Sequence, residues 1–215
     1  MGANFRFDPL GPTQFPVGQG PFHARGLAYV AILKYIEGGL PGGREAFRGA
    51  LAGDPFLPFF DQLFIVSGKY DVSPLVRLYQ ACAAIESKPV GRFVEERARS
   101  TAKSDTMGVW KPLLKATTPA QAAERTRLAF MRDFPGCQAS VVASAPGRFE
   151  GELSGLPDCM TGMYTCSTSG FVDAAMSLVG AFDVKLAWDR PVPDGATAGV
   201  PTLKTRFAVT WSEGN

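Results

Sequence analysis

From Leu203 to Trp211, the residues Leu203, Thr205, Phe207, Val209 and Trp211 alternate with polar or small ones. An extended strand would therefore carry them as one apolar row. Such a row needs partners, and the preceding segment supplies them. Residues 139–144 form a short apolar β pattern, 145–147 a turn containing Pro146 and Gly147, and 148–153 a returning strand. A glycine-interrupted helix is expected over 171–179 and another strand over 184–188. The unit reads β-β-α-β-β and predicts an antiparallel sheet over about 137–211.

What precedes it is helical. Tyr29, Ile32, Leu33 and Ile36 recur at i, i+3, i+4, i+7, and Gly38-Gly39 with Pro41 ends that helix. A second helix fits 44–51. Asp54-Pro55 reads as a cap and first-turn pair opening an aromatic segment whose Phe56, Phe59, Phe60 and Phe64 must be buried to avoid an aggregating patch. Residues 65–72 read as a turn region. Ser73-Pro74 starts a helix with Leu75, Leu78, Tyr79, Cys82 and Ile85 in one stripe, interrupted at 87–89. Further helices are expected over about 90–104, as a short turn at Trp110, Leu113 and Leu114, and from Thr118-Pro119 to Phe134 with Leu128 and Met131. The fold class is α+β: an N-terminal helical half, about 21–135, then the antiparallel β-β-α-β-β sheet unit. Residues 1–20, rich in Gly, Pro and Gln, read as an extended arm draped over the core through Phe5, Phe7 and Phe15. Residues 21–215 read as a single domain.

Composition removes several function classes. A net charge of +2 is too small a field to imply nucleic acid or an anionic membrane. The densest basic run, Arg92, Arg97, Arg99 and Lys103, is interleaved with Glu95 and Glu96, the pattern of a solvated helix face. No apolar run approaches the length of a membrane span, and the first residues lack the apolar core of a secretory signal. Four cysteines in this context are expected to be reduced thiols of a cytoplasmic protein.

His23 is the only histidine, so a two-histidine metal site is excluded. A Ser-His-Asp triad or a Cys-His dyad can be built in one way at most. Its place just before the first helix fits a local hydrogen bond, a general base or a haem ligand being the alternatives. Cys159 and Cys166 are too far apart for the tight-turn pairs of zinc fingers; with Cys137 they read as buried structural thiols, a reactive thiol or a converging metal site being the alternatives. The glycines of the second half form neither a GxGxxG nor a GxxxxGK[ST] loop. Glu150 and Glu152 share a face of one strand, opposite Phe149, Gly151 and Leu153. They have no opposed carboxylate in a cleft.

The order of elements resembles the fold shared by haem NO/oxygen-binding sensors, four-vinyl-reductase-type domains and the TRAPP tethering subunits. Within that group the chain resembles a paralogous family of uncharacterised myxobacterial proteins. The segments carrying the likeness are Phe64-Ile65-Val66-Ser67-Gly68-Lys69-Tyr70-Asp71-Val72-Ser73-Pro74, the stretch 98–114 with its 105–110 motif, the Gly170-Phe171 helix start, and Phe207-Ala208-Val209-Thr210-Trp211. The departures bear on function. Haem sensors of this kind carry a proximal histidine followed by Tyr-x-Ser-x-Arg, and this chain has neither. The acylated cysteine of TRAPP-type members compares only loosely with Cys82.

Two readings follow. The first is a non-catalytic sensory or adaptor domain of a bacterial signalling type. Its pocket between helices and sheet takes an apolar small molecule, with Phe60, Phe64, Tyr79, Cys82, Phe171, Met176 and Trp188 as candidate lining residues and no cofactor. The second is an interaction module without a ligand, forming a homodimer or docking on another protein. An enzyme using Cys159 or Cys166 as nucleophile is the third and needs a lowered thiol pKa.

Overall fold

Asp71 ties the helical half together. The computed structural model describes residues 5–104 and 118–213, and in it Asp71 is buried between a short strand and the third helix. Its carboxylate accepts from the Ser73 N–H at 2.9 Å, capping α3 (Val72–Ile85), and from the Gly20 N–H at 2.9 Å. Its backbone carbonyl accepts from the Tyr29 hydroxyl of α1 (Gly26–Gly38). A buried carboxylate with this many donors is one the fold can hold away from water. The segment expected as a plain turn over 65–72 contains a strand, β2 (Lys69–Asp71), antiparallel to β1 (His23–Arg25). Three residues are too few to show a period.

The remaining helical elements are α2 (Gly43–Ala50), a 3-10 turn over Leu57–Asp61, α4 (Val90–Ser104) and α5 (Pro119–Asp133). Phe56, Phe60 and Phe64 are buried and Phe59 partly so. The Thr118 hydroxyl caps α5 by accepting from the Gln121 N–H at 3.3 Å, as Thr118-Pro119 predicts. On α5, Ala129 and Phe130 are buried whereas Leu128 is exposed. The turn expected around Trp110, Leu113 and Leu114 lies outside the described residues.

The sheet comprises β3 (Gln138–Ala145), β4 (Arg148–Pro157), β5 (Ala181–Trp188), β6 (Val192–Thr197) and β7 (Val200–Glu213). All pairings are antiparallel. β7 is central: β4 runs along one side of it, while β5 and then β6 occupy the other. Thr205, Phe207, Val209 and Trp211 face the core as one row; a register shift in the β4 pairing puts Thr202 inside in place of Leu203. The sixth strand departs from the expected β-β-α-β-β order. Its residues are exposed throughout and include Pro193 and Gly195, so no alternation marks it; an edge position tolerates both.

The helix of this unit, α6 (Thr161–Leu178), starts ten residues before the expected position. Thr, Ser, Cys and Gly crowd its first half and are poor helix formers. Burial overrides that: Met163 and Tyr164 are fully enclosed, and the Thr165, Thr168 and Ser169 hydroxyls turn back onto helix carbonyls. Gly170 lets α6 meet α4 backbone to backbone, since a Cβ there would lie 2.1 Å from the Glu95 carbonyl oxygen.

The arm lies on this junction. Gly162 N–H donates to the Arg6 carbonyl at 2.8 Å, Asp8 N–H to the Cys159 carbonyl at 2.7 Å, and the Gln80 side chain to the Phe7 carbonyl at 2.6 Å. Phe7 and Phe15 pack against the core, and the Phe5 ring meets Trp188 edge-on.

Candidate functional site

The close α4–α6 contact leaves a hollow beside it. Ala98 and Ala102 of α4 are too small to fill the space between α6 and α5, and a cavity of about 90 Å³ remains. Phe130, Phe134, Met163 and Phe171 wall it, Leu27 and Ala28 close it from α1, and Tyr79 reaches it from α3. Phe134 packs on Tyr164 with ring centres 4.6 Å apart and on Phe130 at 5.3 Å, so the aromatic wall is braced from behind.

Three of the polar side chains at the cavity are already committed. The Thr126 hydroxyl donates to the Ala122 carbonyl at 2.9 Å and that of Thr168 to the Tyr164 carbonyl at 2.8 Å. Asp133 is paired with Arg132 at 3.2 Å. Burial pushes the Tyr79 phenol far above its usual range, so the group is neutral at any ordinary pH. The lining is apolar in effect although six of its residues carry polar groups.

Of the expected lining residues, Tyr79 and Phe171 face this cavity. Phe60 lines a separate groove with Phe47 and Ile36. Phe64 stacks on Tyr29 at 4.5 Å, and Cys82 and Met176 are wholly buried elsewhere in the core. Trp188 packs on Phe207 at 5.1 Å and donates from its indole to Ser169 at 3.0 Å. Phe130 and Phe134 were missed. Their i, i+4 spacing on α5 is the signal that could have found them. Met163 and Thr168 escaped because the α6 start was placed too late.

The thiols are not poised for chemistry. Desolvation pushes Cys82 and Cys137 up to about 12 and Cys166 to about 11, and raises Cys159 despite the nearby Arg6. A nucleophilic cysteine needs the opposite shift. Among the described residues no group of three His, Cys, Asp or Glu side chains is placed to hold a metal ion. Among the described residues no helix is long and apolar enough to cross a membrane.

No family model matches the sequence, and no curated protein matches it. Solved structures do match the fold. An Fe(II) unliganded H-NOX protein from K. algicida superposes with a TM-score of 0.62 at 10% identity, covering 88% of this chain and 97% of that one. An oxygen-binding H-NOX domain related to soluble guanylate cyclases gives 0.58 at 13%, covering 88% and 95%, and an H-NOX mutant of T. tengcongensis gives 0.56 at 13%, covering 86% and 96%. The chain therefore has an α+β fold of the H-NOX type.

That fold implies haem, and the residues present do not fit it. His23, the sole histidine, lies on β1 opposite Asp71 and is not a lining residue of the cavity. The cavity lining holds neither histidine nor cysteine for the iron, burial keeps its Tyr79 phenol protonated, and it has no arginine or lysine for propionates. Its volume of about 90 Å³ is also far below the roughly 300–1,000 Å³ of pockets that enclose larger ligands.

Proposed function

We propose that the protein is a cytoplasmic, non-catalytic sensory domain that takes a small apolar ligand, rather than haem, in the cavity between α4, α5 and α6. The observation that carries this reading is the cavity itself: an apolar hollow at a place where the fold could have closed it with larger residues than Ala98 and Ala102. Close packing is the rule in interiors, so an unfilled apolar space is uncommon. Apolar cavities of roughly 150 Å³ stay dry and take up xenon or benzene, and one of this size suits a gas or a few-atom molecule. The H-NOX likeness supports a ligand-sensing role by fold alone. The four-vinyl-reductase and TRAPP-type likenesses and the myxobacterial grouping belong to the same proposal and rest on the sequence segments.

Xenon NMR tests it. A saturable xenon shift in the protein, lost in Ala102→Leu with the fold intact, is the expected result. Absence of any saturable shift removes the reading. Titration with hemin checks the exclusion: a stoichiometric haem spectrum would restore the haem-sensor reading.

The interaction-module reading keeps one observation in its favour. Leu63, Ile65 and Val66 form an exposed apolar loop, with Leu63 87% accessible. Concentration-dependent mass by analytical ultracentrifugation, abolished in Leu63→Ser, would favour it.

A further inference from the structure

Beyond Tyr79 and Thr101, which belong to both linings, lies a second and wider hollow of about 360 Å³ between the end of α1 and the middle of α4. Its lining includes two cations, Lys34 and Arg97, and no carboxylate. Most of the charges around it are paired. Arg92 holds Glu96 at 3.0 Å, Arg99 holds Glu95 at 3.0 Å and Asp173 at 2.6 Å, and Lys88 holds both Glu86 and Glu96. Arg97 is different.

Its guanidinium carbon lies 3.9 Å from the centre of the Tyr35 ring, and its Nε is buried with no acceptor. Among the described residues it makes neither an ion pair nor a hydrogen bond. Glu86 does not compensate it directly, because that carboxylate accepts from the Tyr35 hydroxyl and from Lys88. A guanidinium over an aromatic ring gains some attraction from the ring face, yet its N–H groups still want acceptors. Sequence alone hid this, since Arg97 sits in a run that reads as a solvated face.

We propose that this groove binds a small organic carboxylate, its anion against Arg97 and Lys34 and its body against Ile32, Tyr35 and Tyr79. A guanidinium is planar, and its donor edge matches two coplanar carboxylate oxygens. Phosphate fits less well. The rim at Gly38 and Gly39 is the carboxyl end of α1, whose dipole opposes a dianion. The volume is of the size that encloses a small organic molecule. This site does not depend on what occupies the apolar cavity.

Benzoate is the probe, with benzamide as its neutral isostere and inorganic phosphate as the competing anion, all read by NMR titration of the full chain. The expected result is saturable benzoate binding, no saturable response to benzamide, and weaker binding of phosphate. Arg97→Gln should weaken benzoate by about ten-fold or more, the loss expected when a charge-assisted pair is broken. Lys34→Gln, an exposed change that leaves the fold intact, should weaken it by about two- to five-fold, and Arg92→Gln should leave it unchanged. Absence of saturable benzoate binding, equal affinity for benzamide, preference for phosphate, or full affinity in a folded Arg97→Gln overturns the proposal. Should Arg97→Gln fail to fold, unchanged affinity in Lys34→Gln overturns it instead.

Discussion

Two hollows meet at Tyr79 and Thr101, and they treat polar side chains in opposite ways. In the apolar cavity Thr126 and Thr168 turn their hydroxyls onto helix carbonyls, so residues that look polar have that capacity spent. In the groove beside it, Arg97 stacks on Tyr35 and keeps its hydrogen-bonding capacity uncommitted. The chemistry of a hollow is thus set by which polar atoms remain without partners. The residue types along its wall do not decide it.

The comparison breaks most readily at the aromatic wall. Phe134→Ala should cost about 3–5 kcal/mol in urea unfolding, because it removes a buried ring and widens a cavity that cannot collapse. The same variant, if folded, should keep its benzoate response. A cost below about 1 kcal/mol would mean that the wall is not packed as described.

Alkaline pH tests the helix that both hollows share. The Cys82 thiol, one turn from Tyr79, is raised by burial from its ordinary 9.0 to about 12. The unfolded chain ionises first, so this contribution is whole below pH 9.0 and falls away as pH rises toward about 12. Cys137 and Cys166 are raised by burial in the same window, so the Cys82 share, on the order of 4 kcal/mol, is read as the difference in slope between the protein and Cys82→Ala.

Gly170→Ala acts on the α4–α6 contact that frames the cavity. Its methyl group would collide with the Glu95 carbonyl, and a loss of about 2 kcal/mol is expected by urea unfolding, together with an altered xenon response. The smallest effect belongs to Arg92→Gln. Its pair with Glu96 is largely exposed, and the loss should stay under about 0.5 kcal/mol in the same measurement. In benzoate binding, unchanged affinity in Arg92→Gln beside the loss of about ten-fold in Arg97→Gln separates a paired surface arginine from an uncommitted one.

Much of the architecture was legible in the sequence. The stripes of α1 and α3, the Thr118 cap and the alternating row of β7 announce themselves by period, because each buries one continuous face. Where period was absent, reading failed. β2 is too short, β6 has no buried face, and the start of α6 is written in residues that disfavour helix. The candidate site was less legible still. Tyr79 stands out as a member of an apolar stripe and Phe171 as a helix start, whereas on α5 the period points to Leu128 and Met131 rather than Phe130 and Phe134, and the structure exposes Leu128.

The sequence by itself determined that a helical half precedes an antiparallel sheet, and that any site in the chain has one histidine at most to draw on. Only the tertiary structure decided where the space is. A cavity is what neighbouring elements fail to fill, and here the lining includes Ala98 and Ala102 on α4, beside the close contact with Gly170 of α6. The same holds for charge. Whether an arginine in a mixed run is paired depends on side chains from other elements, and Tyr35, from a helix far earlier in the chain, is what takes Arg97 out of the surface network.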